Sequence, residues 1–94
     1  MIEWTEQAAR QLDQAHDYIA LSNREDVAAR ITLQIVAGVQ QLAVYPMWGR
    51  AGRVTGTREL VISNTPFIVE YAIEKAAIIV LALYHGARHW RHGF

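Results

Sequence analysis

The chain predicts an α+β fold in which an N-terminal helical hairpin packs on a small antiparallel β-sheet, in the order β-α-α-β-β-β. Two periodicities and a punctuation pattern carry this reading. Apolar residues recur at helical spacing from Ala8 to Leu42, then alternate after residue 57, and each half is joined internally by short polar connections. Helices and strands segregated along a chain give α+β architectures, with helices covering one face of an antiparallel sheet. Ninety-four residues, 52% of them hydrophobic, make a single domain spanning 1–94 with a core of its own.

Ile2-Glu3-Trp4 reads as a short strand, and Thr5 as the N-cap of a first helix. Ala8, Leu12, Ala15 and Ile19 then recur along one face, with Arg10, Asp13, Gln14 and Asp17 elsewhere on the cylinder. Ser22-Asn23-Arg24-Glu25 has capping-box spacing, which predicts that a second helix starts at Ser22. Its stripe is Val27, Ile31, Ile35, Val39 and Leu42. It is expected to end at Tyr45-Pro46, because the residue before a proline is pushed out of the helical region. So short a connection predicts an antiparallel helix pair. Strands follow over Arg58–Ile62, Phe67–Ile73 and Ala77–Tyr84, with Phe67, Val69, Tyr71 and Ile73 on one face. Glu74-Lys75-Ala76 is expected to form the hairpin turn, and the strand from Ala77 to be central because it is apolar at nearly every position.

Between the two halves lies Gly49 to Arg58, ten residues with three arginines (Arg50, Arg53, Arg58) and three glycines. Arginine is rarely buried unpaired and glycine packs no side chain, so this stretch is expected to be a flexible basic loop that meets an anionic or carboxylate-rich partner. Zero net charge conceals a split. Residues 1–44 carry minus three and residues 45–94 plus three, and eight of the nine cations are arginine, whose planar fork suits bidentate recognition of phosphate or carboxylate. The absence of cysteine excludes disulfides and thiolate metal sites and makes a reducing cytoplasm the default. Met1 is followed by Ile-Glu-Trp-Thr-Glu, which predicts no secretory leader, and the longest nearly apolar run, Ala76 to Tyr84, is too short to span a membrane. His85, His89 and His92 have no carboxylate or cysteine near them in sequence, so no metal site or other cofactor is expected.

Trp4-Thr5, paired helices ending in Tyr45-Pro46, Gly49-Arg50-Ala51-Gly52-Arg53, Gly56-Thr57-Arg58-Glu59-Leu60-Val61, Phe67-Ile68-Val69 with Tyr71, and His85-Gly86-Ala87-Arg88-His89-Trp90 occur in this order over essentially the whole chain. Together they resemble the RelE/ParE superfamily of toxins from type II toxin-antitoxin systems. The resemblance implies a small cytoplasmic bacterial toxin that inhibits growth or stabilises a plasmid. It also implies neutralisation by a cognate ParD- or RelB-like antitoxin, in a heterodimer or heterotetramer.

The superfamily holds two mechanisms. ParE-like members poison DNA gyrase, whereas RelE-like members cleave messenger RNA on the ribosome. Cleavage at a ribose requires activation of the 2′-hydroxyl, charge stabilisation on the phosphorane and protonation of the leaving oxygen. The positions matching the strand cations of the ribonuclease branch are Glu59, Val61 and Ile68, none of them basic. The ParE-like reading is therefore favoured, with Arg50, Arg53, Arg58, His85, Arg88 and Trp90 as residues that bind antitoxin or target. Under the ribonuclease alternative, His85 would serve as acid or base, Glu59 as its partner, and Arg58 with Arg88 on the phosphate. An inactive or regulatory member of the superfamily is the third reading.

Overall fold

The computed structural model describes residues 1–86. Its elements are β1 (Ile2–Trp4), α1 (Glu6–Ser22), α2 (Glu25–Gln41), β2 (Arg50–Ala51), β3 (Arg58–Val61), β4 (Phe67–Glu74) and β5 (Ala77–His85). The strands form one sheet in the order β1-β5-β4-β3-β2. The predicted α+β fold is therefore present, but the sheet is mixed. β1 runs parallel to β5, with Ile2 beside Ile78, while the other pairs are antiparallel. β5 is interior, and β4 holds the middle place.

Thr5 begins α1 as expected. Its hydroxyl accepts from the Ala8 amide at 3.1 Å and donates to the Leu81 carbonyl at 3.2 Å, tying the helix start to β5. The capping box at Ser22 does not form. Ser22 remains the last residue of α1, Asn23 closes that helix through its amide on the Ile19 carbonyl, and Arg24 precedes α2 without a side-chain cap. Glu25 and Asp26 supply the negative charge favoured in a first helical turn. α2 also stops short of Tyr45. After Gln41 the bonds Ala43 N to Gln40 O and Val44 N to Gln41 O tighten the chain into i to i−3 turns.

Ala8, Ile19, Ala28, Ile35, Val39 and Leu42 of the helical layer meet Leu60, Ile62, Phe67, Val69, Tyr71, Ile78, Val80 and Leu83 of the sheet in one buried cluster. Gly38 allows the close approach, since a Cβ there would lie 2.8 Å from Ile62 Cδ1. Ile73 falls in phase with Tyr71 but is 37% exposed, one residue before the turn. Val80 and Leu83 both face the helices although they are three residues apart, which simple alternation forbids. The register resolves this. Tyr71 pairs with Val80 and Glu70 with Ala82, so Leu81 is the extra residue of a β-bulge. Thr5 serves the Leu81 carbonyl, and Gln11 Oε1 accepts from the Leu83 amide at 2.8 Å.

Candidate functional site

The stretch expected to be a flexible basic loop is an ordered hairpin. Arg50 pairs with Glu59 and Ala51 with Arg58, and Gly52 N donates to Thr57 O at 2.8 Å. Thr57 in turn bonds Val54 O through both its amide and its hydroxyl. The physical reason is a set of long-range clamps on the segment just before it. Tyr71 Oη donates to Pro46 O at 2.7 Å and accepts from Gly49 N at 2.9 Å. Arg58 donates from Nε to Gly49 O at 2.9 Å and from Nη2 to Met47 O at 3.1 Å. Arg58 and Tyr71 are register partners on β3 and β4, so one phenol and one guanidinium grip the same four-residue backbone. Gly49 is required there, because a Cβ would fall 2.7 Å from Glu59 O and 2.8 Å from the Tyr71 ring.

On the sheet face away from the helices, Glu59 is only 5% exposed. Arg50 donates from Nε and Nη2 to its Oε1 at 3.3 and 3.2 Å, and Tyr84 donates its hydroxyl to Oε2 at 3.2 Å. Arg50 is the neighbour across the ladder, and its side chain is 61% exposed, so the carboxylate lies beneath a guanidinium that still reaches solvent. Glu70 is the register partner of Glu59, with Ala82 beyond it on β5. Burial first, and then the negative charges of Glu59 and Glu70, push the Tyr84 phenol well above its ordinary range, with Arg53 opposing. Tyr84 is thus held as a proton donor and not as a phenolate.

His85 is the register partner of Phe67, and their rings meet edge to face at 5.7 Å between centroids. That places it on the helix-facing side, whereas Glu59 alternates with core residue Leu60 and lies on the other side. Arg58 is aligned with Tyr71, four residues along β4 from Phe67, a separation of about 13 Å at roughly 3.3 Å per residue. The fold does not gather His85, Glu59 and Arg58 at one point. Arg88 and Trp90 lie outside the described residues. Among the described residues, no group of three His, Asp or Glu side chains is placed to hold a metal ion, and no helix is long and apolar enough to cross a membrane.

Sequence reasoning missed the burial of Glu59, the Arg50 pairing and the Tyr84 hydroxyl. The signal available was only that Glu59 and Arg50 flank a glycine-bearing turn segment at hairpin spacing. It also missed Val44, Tyr45, Met47 and Trp48, which line a surface hollow of about 590 Å³ with Pro46.

The family described as "ParE toxin of type II toxin-antitoxin system, parDE" matches residues 2–90. The chain belongs to the ParE toxin family. A protein of Sinorhizobium fredii strain NGR234, named "Putative toxin Y4kP", is 39% identical over 89 residues, covering 95% of this chain and 91% of the relative. Among solved structures, one titled "Chromosomal ParDE TA system from P. aeruginosa" superposes with a TM-score of 0.82 at 26% identity. That match covers 89% of this chain and 92% of the other. The ParE-family toxin therefore shares its overall fold with a solved relative over 89% of its length.

Proposed function

We propose that this ParE-family toxin acts in the cytoplasm by binding and poisoning DNA gyrase, and that a cognate antitoxin neutralises it. One observation carries the choice over message cleavage. Glu59, at a position where the ribonuclease branch uses a cation, is a buried carboxylate that occupies both Arg50 and the Tyr84 hydroxyl. A negative charge fixed there opposes a developing phosphorane charge instead of stabilising it. Arg50, Arg53 and Arg58, together with Arg88 and Trp90, serve on this reading as recognition residues for antitoxin or target. The structure titled as a ParDE system supports the antitoxin half of the reading by analogy.

The test is a paired assay of the purified toxin. Gyrase supercoiling and cleavage-complex formation are followed beside cleavage of a short message on programmed ribosomes. The expected result is inhibited supercoiling with intact message. Message cleavage, or a protein silent in both assays and in growth, would overturn the proposal.

A further inference from the structure

The segment after α2 combines exposure with rigidity. Val44, Tyr45, Met47 and Trp48 are each between 57% and 67% exposed, and the Tyr45 and Trp48 rings meet edge to face at 6.2 Å. The backbone that carries them is nevertheless held at Pro46, Met47 and Gly49 by the two bonds of Tyr71 and the two of Arg58. Aromatic side chains and methionine on a fixed backbone are the composition of interface anchors, and prior rigidity lowers the ordering cost of binding. Four contiguous exposed apolar side chains around one hollow form a patch of the kind that marks an interaction site.

From this we infer that the 44–48 platform is the anchor site for the antitoxin. It takes bulky apolar side chains from an antitoxin segment whose flanking carboxylates meet Arg50 and Arg58. The inference rests on the proposed antitoxin partner and adds where and by what chemistry that partner is held. Charge complementarity selects the occupant. Arg58 bonds the Met47 and Gly49 carbonyls beside the platform, Arg50 follows Trp48 by two residues with its side chain 61% exposed, and the carboxylate that Arg50 pairs with, Glu59, is buried. The platform therefore sets the positive charge of Arg58 beside an apolar centre, with Arg50 exposed further along the chain, and fits an acidic, apolar segment. A two-fold contact between copies of this chain would set Arg50 and Arg58 against themselves, which opposes self-association through this face.

The experiment measures the dissociation constant of the co-expressed and separately repurified antitoxin for three proteins: unaltered toxin, the double variant Tyr45→Ala/Trp48→Ala, and a control, Leu21→Ala/Leu33→Ala, that removes exposed apolar side chains from the helical layer. All the altered side chains are exposed, and thermal melts confirm folding. The double variant is expected to bind at least 100-fold more weakly and the control within threefold of the parent. A further variant, Arg50→Glu, is expected to weaken binding at low salt more than at high salt. Unchanged affinity of the double variant, while the parent binds tightly, overturns the anchor assignment and leaves the antitoxin reading intact. A parent toxin that binds no antitoxin overturns both. Retained antitoxin affinity with lost gyrase inhibition would assign the platform to the target. Self-association of the unaltered toxin, abolished by the double variant, would assign it to a second copy.

Discussion

Tyr71 and Glu59 show how single side chains organise this protein. The Tyr71 ring is fully buried, yet its hydroxyl satisfies a carbonyl and an amide of the segment after α2. Tyr71→Phe keeps the packing and strands both groups, so it is expected to destabilise by about 1–3 kcal/mol in urea unfolding, with faster hydrogen exchange at the Gly49 amide. Arg58 stands beside Glu59 in sequence, but neighbours on a strand point to opposite faces, and the ion pair forms across the ladder with Arg50. That pairing was illegible because it depends on β2, two residues long and set by distant clamps. Tyr84 gives a test against pH. Its folded phenol holds its proton to higher pH than an unfolded tyrosine. The stabilisation linked to that proton is complete below the unfolded value of about 10 and is lost as pH rises above it. Unfolding measured from pH 9 to 11 is expected to show a shallower alkaline loss for Tyr84→Phe than for the parent. Equal slopes would refute the assignment.

At the scale of elements, what could be read depended on the range of the cause. The Thr5 cap was legible because its signal lies within three residues, and the helical stripes because periodicity repeats it. The second helix start was misplaced by three residues. Ser22 and Glu25 have the right spacing, but α1 propagates through Ser22 and uses that residue first. The bulge at Leu81 left only an indirect trace, the change of phase between Val80 and Leu83, and its bonding needs the side chains of Thr5, the cap of α1, and of Gln11 within it. Gln11→Leu removes the acceptor for the Leu83 amide and is expected to cost about 1–3 kcal/mol, with exchange quickened locally on β5. The turn between β4 and β5 points the other way. Lys75 and Ala76 have φ of 49° and 66°, the sign pattern of a type I′ turn built without glycine. Ala76→Gly relieves the left-handed strain at one of them and is expected to stabilise the protein by about 1 kcal/mol. A lower denaturation midpoint for that variant would contradict the turn geometry.

Across the whole molecule, the opening and closing segments of the described chain meet. β1 lies parallel along β5, Ile78 N donates to Met1 O and Thr5 N to Val80 O, and Ile2 and Trp4 pack against the core. Sequence reasoning identified the short strand but could not place it, since three residues carry too little pattern to choose an edge or a direction. Its position has a consequence for solubility. β5 is apolar at every position from Ala77 to Leu83 and is shielded because β1 covers one side and β4 the other. An uncovered strand of this composition is a template for pairing with another chain. A variant lacking residues 1–4 would expose the β5 edge and lose the packing of Ile2 and Trp4. It is expected to melt at lower temperature and to self-associate in light scattering. Adding Ile79→Lys, on the side of β5 away from the main core cluster, is expected to suppress the association without restoring the melting temperature, because charge blocks edge pairing but replaces none of the lost contacts. A truncated protein that stays monomeric and as stable as the parent would show that β1 contributes neither protection nor stability.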